Sequence, residues 1–431
     1  MATPPDATVV PEAATLEFAA ACASATAVPP AAWWHRAPLG VGAAGLELAG
    51  VSVASLAAQY GTPLYAYSGA AIISQIQRLQ AALATTALPH AVWYAMKANR
   101  FRPVLQTLRN LPGVGLDACS PREVALGLEL GFSADEISLT AGMLSDRDLA
   151  WLFESGVHCT LDTRSALRRY ARLCSELPTS QRKGRRTVGL RIDPAVAVGW
   201  GGEAKLAYGN AKFGFDAAAV PDVVREARAL GLEVDLLHLH CGWGMQRQDL
   251  PRLGEAFARL AELARLLPDV HTLDVGGGLC ERQRAEDDPL PLGAWAELLR
   301  QHLAPPGRRI ACEPGTFAVA GAGILVVEVN TVETRRGVTW VGVDAGFNVN
   351  LYPAHYGIPL EPLHVGRPLD PDLVEVTIAG NINEAADVFA HAAQLPRVRE
   401  GDLLAFWPAG AYGSSMASDH CLRGWAREAM I

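Results

Sequence analysis

The sequence predicts an α/β protein: a (β/α)8 TIM barrel, then a C-terminal β-barrel or sandwich domain that also takes an N-terminal strand. Three observations predict it. From about Pro63 to Gly315, short apolar runs alternate with longer amphipathic segments, which gives eight strand candidates in roughly 250 residues. Each apolar run meets polar residues or glycine at its C-terminal end. After Gly315 the segments are β-type, with no regular helices between them.

Taken in order, residues 1–35 are rich in Ala and Pro and read as an arm, with a short helix around Ala13–Ala23. This arm lacks a basic start followed by an apolar run, so it does not read as a secretory signal. Residues 36–62 read as a strand, Ala44–Leu48, and a helix that join the β domain. Residues 63–318 read as the barrel. Its strands are Ala91–Met96, Val114–Asp117, Ile137–Thr140, Cys159–Asp162, Thr187–Ile192, Leu236–His240, Thr272–Val275 and Arg309–Cys312. Its helices include Pro121–Leu130, Asp146–Glu154, Pro221–Leu230 and Leu253–Leu267. Residues 319–431 read as the C-terminal β domain, with strands near Gly323–Val329, Thr339–Val343, Leu373–Ala379 and Asp402–Trp407.

Composition narrows the function. The net charge of −8 argues against nucleic acid or an anionic membrane as the main partner. Apolar stretches are broken by Gly, Pro or charge before they reach the length of a membrane span. The eight cysteines form no CxxC pair and no zinc-type cluster, so no metal site is expected. They read as reduced thiols of a cytoplasmic enzyme.

In a TIM barrel the C-terminal strand ends converge on one face, which holds the active site. Here those ends carry Lys97, Asp117, Thr140, Asp162, Arg191, His240, Gly276 to Gly278 and Glu313 to Gly315. Lys97 should point into a largely apolar pocket, where burial lowers its pKa and a neutral amine can attack an aldehyde. Taken alone, a strand-end lysine more often reaches solvent. Gly276-Gly277-Gly278 lets backbone N–H groups approach an anion where this fold usually binds phosphate. A plain turn is the ordinary alternative. Glu313 can hold a pyridine nitrogen protonated, or form a structural ion pair. The His240 ring can lie flat on a cofactor face, although a lone histidine is more often structural. Tyr412, in Gly410–Gly413, can bring a phenol to the same site.

Together these motifs resemble the fold-type III decarboxylases of the diaminopimelate, ornithine and arginine decarboxylase family, the diaminopimelate branch above all. The likeness runs from about Gly40 to Arg423 and includes Tyr60–Tyr67, Tyr94–Asn99, Asn210–Gly214, Asp274–Gly278, Glu313–Gly315, Asp344–Gly346 and Ala411–Ser418. The resemblance implies pyridoxal 5′-phosphate (PLP) carried by Lys97 as a Schiff base. It also implies cofactor contacts from Asp117, His240, Gly276, Gly277, Gly278, Glu313, Gly315 and Tyr412. A homodimer with shared active sites is implied too, in which the loop Asn381–Phe389 of one subunit completes the site of the other.

The chain departs from the family pattern at the substrate end. Asn383 stands where the family loop carries a cysteine acid, while Glu384 and Asp387 are kept. An amide is a poor proton donor, which leaves Glu384, His355, Cys421 or water as the acid. Thr316 and Tyr352 replace two family arginines, and Trp243 replaces a serine. Losing the arginines removes the clamp for a distal carboxylate. Trp243, Tyr352, His355 and Tyr356, with Glu384 and Asp387, are therefore expected to form a more aromatic pocket for a small amino-acid substrate other than diaminopimelate. Racemisation on the same cofactor and a non-catalytic PLP-binding role are the alternatives.

Overall fold

The computed structural model describes residues 32–176, 186–200, 212–304, 308–358 and 360–431. The predicted helix Ala13–Ala23 and the start of the Asn210–Gly214 run lie outside them. Eight parallel strands close a barrel in chain order: β1 (His90–Ala95), β2 (Val114–Ala118), β3 (Ile137–Thr140), β4 (His158–Leu161), β5 (Thr187–Ile192), β6 (Glu233–Leu239), β7 (Thr272–Asp274) and β8 (Arg309–Cys312). Each coincides with a run read from the sequence, to within three residues at either end. The buried, β-branched character of these runs suits a sheet covered on both faces.

Helices cover the outside, and their starts follow local chemistry. Ser120 accepts the Glu123 N–H ahead of Pro121 at the first turn of Pro121–Glu129. Ser145 and Asp148 form a capping box at the start of Asp146–Ser155. Among the described residues, no helix is long and apolar enough to cross a membrane.

The second domain is a twisted sheet built around the long strand Gly323–Arg335. Its first half pairs with Leu403–Phe406, and its second half with Val338–Val343. Leu373–Ala379 and Val388–Pro396 extend the sheet. Two differences from the sequence reading appear at its edge. Leu64–Tyr67, read as the entry to the barrel, is a strand of this sheet: it runs antiparallel to Gly323–Val326 and parallel to Arg427–Met430. Gly45–Leu48, read as joining the sheet, instead forms a small sheet of its own with Leu39–Gly42 and Val51–Ser52. Its link to the domain is the Leu46 N–H, which donates to the Val365 carbonyl at 2.8 Å.

The alternation of Leu64–Tyr67 explains its place. Tyr65 and Tyr67 point into the main core shared with the barrel, while Leu64 and Ala66 point into a second core with Leu46, Leu48, Leu56, Val326 and Trp407. A strand buried on both faces needs a partner on each edge, and only the second sheet offers both. Where the chain leaves the barrel it packs backbone to backbone at Gly410, where an added Cβ would lie 1.9 Å from the Val319 carbonyl oxygen. Gly410→Ala is therefore expected to destabilise the fold by about 1–3 kcal/mol, read as a lower midpoint in thermal or urea unfolding. An unchanged midpoint would show that this junction yields freely.

Candidate active site

Lys97 follows β1 in a short turn, Met96–Ala98. Its Nζ lies 3.0 Å from Asp117 Oδ2 and 3.4 Å from Cys119 Sγ. The lysine side chain is 43 % exposed and opens toward the barrel mouth, while Asp117 is fully buried. The expectation of an apolar pocket with a depressed lysine is overturned. Burial alone would pull Lys97 down, but Asp117, then Cys119, Tyr412 and Glu313, together hold it well above the ordinary range. Asp117 Oδ1 is buried without a hydrogen-bond partner among the described residues, so the carboxylate keeps acceptor capacity at the site.

Glu313, directly after β8, is buried at the barrel axis. His238 Nε2 lies 3.1 Å from its Oε2, and Thr140 Oγ1 is 3.4 Å from its Oε1. Burial pushes this carboxyl up, but His238, Lys97 and His240 outweigh it and hold Glu313 below the usual carboxylate range. Burial keeps His238 below the ordinary imidazole range, and a neutral ring still donates from Nε2. Asp274, at the end of β7, completes the cluster: one atom each of His238, Asp274 and Glu313 lie within 4.8 Å of one another. Burial, and then Glu313, raise Asp274 well above the carboxylate range, in the opposite direction from Glu313. His238 was not singled out from sequence. The two-residue step from His238, near the end of β6, to His240, just past it, was its signal, because alternate residues share a face.

The glycine loop packs tightly between neighbouring strand ends. Gly276 and Gly278 have positive φ, and an added Cβ at Gly277 would lie 2.2 Å from the Glu313 carbonyl oxygen. The Gly277 N–H donates to His240 Nδ1 at 3.2 Å, which fixes that ring against the loop. Burial, then Arg191 and Lys97, pull His240 down to about 3, so it presents a neutral, flat face. Tyr412 comes from the second domain. Its N–H donates to the Ala98 carbonyl at 2.7 Å, and its hydroxyl would lie 3.2 Å from a Cβ at Gly315. Gly315 thus leaves room for the phenol beside the lysine turn.

The aromatic residues also assemble. Trp243 stands edge-on to Trp200 at 5.2 Å and to Tyr356 at 5.7 Å, and lies 6.5 Å from Tyr352. Tyr352 and Tyr356 meet at 5.5 Å, and the exposed His355 packs on Tyr356 at 4.6 Å. Burial, then Tyr412 and Tyr356, push the Tyr352 phenol up, which ties this wall to the lysine site. Trp200 was missed in the sequence, since nothing in its local pattern marks it.

The loop residues behave differently. Asn383 and Glu384 are exposed, and Glu384 pairs with His420 at 2.9 Å. Asp387, expected to touch substrate, is instead buried and accepts backbone N–H groups from Phe347 and Ile382, each at 2.6 Å. It shapes its own loop, and an added Cβ at Gly380 would lie 2.2 Å from its carboxylate.

An amine beside buried carboxylates, an anionic glutamate on the barrel axis and a neutral imidazole on a glycine loop suit an aldehyde-bearing, anionic aromatic cofactor. Residues 70–320 match the family model described as "Pyridoxal-dependent decarboxylase, pyridoxal binding domain". The chain is 34 % identical to diaminopimelate decarboxylase of Methanothermobacter thermautotrophicus, over 90 % of each chain. A solved Aquifex aeolicus structure superposes with a TM-score of 0.81 at 26 % identity, covering 91 % of this chain and 92 % of that one. The Helicobacter pylori diaminopimelate decarboxylase solved with L-lysine shares the fold, with a TM-score of 0.80 at 24 % identity over 88 % and 93 % of the two chains. Replacing Asp117 by Asn removes the main group that raises Lys97. Capture of added PLP by the apoprotein, followed by its visible band across pH, should then move to lower pH by about one to three pH units. An unmoved profile means that Asp117 does not set the lysine's basicity.

Proposed function

The chain belongs to the pyridoxal-dependent decarboxylase family, and from that premise we propose that it decarboxylates an amino acid other than diaminopimelate. The observation that carries this reading is the aromatic wall of Trp243, Tyr352 and Tyr356 beside the lysine site. A distal carboxylate needs a cationic clamp. Tyr352 and Thr316 cannot supply one, and a wall of ring faces favours an uncharged, conjugated or amine-bearing side chain.

The residues present fit PLP, which is the family's cofactor. When bound, the cofactor draws off the electrons of the breaking Cα–CO2 bond. Lys97 is the amine that would hold it, and Asp117 would stabilise that amine as an ammonium whenever it is free. Glu313, held below the usual carboxylate range with His238 beside it, would keep a proton at the ring nitrogen. The neutral His240 would offer its flat face to the ring, and the backbone of Gly276 to Gly278 with Tyr412 would bind the anionic end. Two copies share their sites in this reading: Asn383 and Glu384 lie exposed on a loop whose shape Asp387 fixes, ready to meet the mouth of a partner's barrel. The working compartment is the cytoplasm, as the thinly spread thiols suggest.

A panel of D- and L-amino acids and their conjugates, incubated with the holoenzyme in D2O, tests the reaction. The expected product is an amine with one deuterium at the former α-carbon. Deuterium with the carboxylate retained would mean proton exchange instead. Turnover of diaminopimelate faster than any other panel member would end the specificity proposal. Tyr352→Arg should raise kcat/KM for diaminopimelate about tenfold or more, by restoring a charge-assisted contact, and lower it for the best panel substrate.

A further inference from the structure

Any decarboxylation that yields an amine leaves the α-carbon needing a proton. Asn383 offers only an amide, and within the chain the other candidate acids are paired elsewhere or open to solvent. Glu384 is paired with His420, while His355 and Cys421 are exposed. Within reach of Lys97 Nζ the structure places a group that the sequence reading passed over. Cys119 Sγ lies 3.4 Å from that nitrogen, which is the atom the substrate's own amine replaces.

Cys119 is held there by its surroundings. It lies just beyond the strand Val114–Ala118, two residues after Asp117, and both side chains reach Lys97 Nζ. Its N–H donates to Glu123 Oε2 at 2.7 Å, and the Glu123 N–H is capped by Ser120. The unpartnered, fully buried Asp117 Oδ1 marks the same place as one that awaits a ligand. Building on the decarboxylase reading, we propose that Cys119 is the acid that protonates the substrate α-carbon after CO2 leaves, in place of the thiol missing at Asn383.

The proton balance closes within the site. The S–H bond breaks, the Cα–H bond forms, and a thiolate remains beside the Lys97 ammonium. That cation stabilises the thiolate and returns a proton to it; Lys97, now a free amine, then displaces the product amine from the cofactor. Burial, opposed by Lys97, pushes the Cys119 thiol up to about 12, so it carries its proton at neutral pH. A thiol one atom-contact from the displaced amine also explains how an amide in the loop is tolerated.

The test compares wild-type holoenzyme with Cys119→Ala and Cys119→Ser on the fastest amino acid of the panel, in D2O. CO2, amine, aldehyde and aminated cofactor are quantified by mass spectrometry. Without the thiol, the proton is expected to reach the cofactor's carbon instead, and hydrolysis then gives aldehyde and aminated cofactor. Cys119→Ala should lose about a hundredfold or more in amine formation. Its share of turnovers ending in aldehyde and aminated cofactor should rise from a trace to the major part, while the visible band of the bound cofactor persists. The near-isosteric Cys119→Ser decides the matter if the alanine variant binds no cofactor, and it should show the same diversion. Equimolar CO2 and amine at the wild-type rate in the serine variant would overturn the proposal. A wild type that releases no CO2 from any panel member fails earlier and separately: the decarboxylase reading falls, and the assigned acid falls with it.

Discussion

Three carboxylates, Asp117, Asp274 and Glu313, are buried around the C-terminal rim of one barrel, and the site depends on how their charge is compensated. An uncompensated carboxylate in such a place costs several kcal/mol. Each is dealt with differently. Asp117 faces a lysine, Glu313 takes hydrogen bonds from His238 and Thr140, and Asp274, raised by burial and then by Glu313, accepts the Gly276 N–H. Barrel register makes this possible. His238 lies level with Asp274, and Ala95, two residues before Lys97, lies level with Asp117. The ring of groups is assembled by strand pairing before any ligand arrives, so little reorganisation remains for binding.

The second domain is part of the same machine. Leu64–Tyr67 sends two tyrosines into the shared core and a leucine and an alanine into the other. The Tyr65 hydroxyl donates to the Val349 carbonyl at 3.0 Å and so anchors the segment that leads to Tyr352. Tyr412 is tied by its backbone to Ala98, next to the lysine. The lysine turn and the aromatic wall are therefore held by one continuous body.

Several readings came straight from local pattern. The eight barrel strands were legible because a strand covered on both faces must be a short apolar run, and its end must turn polar where it meets the mouth. Lys97, Glu313, His240 and the glycines were legible for the same reason, since each ends such a run. Leu64–Tyr67 was misplaced because its four apolar residues say that it is buried, not against which sheet. Asp387 was misread because a carboxylate in a loop looks identical whether it meets a ligand or its own backbone.

By itself, the sequence determined the barrel, the positions of the groups on its rim and the residues Thr316 and Tyr352. Those features are written in residue type and spacing along one chain. Only the tertiary structure decided the protonation of the site and the membership of its inner ring. Whether Lys97 is raised or lowered depends on Asp117, twenty residues away along the chain and 3.0 Å away in space. Cys119 and His238 acquire meaning only from what the closed barrel sets beside them. Electrostatic energy depends on distance through space and on burial, and neither is a property of sequence order.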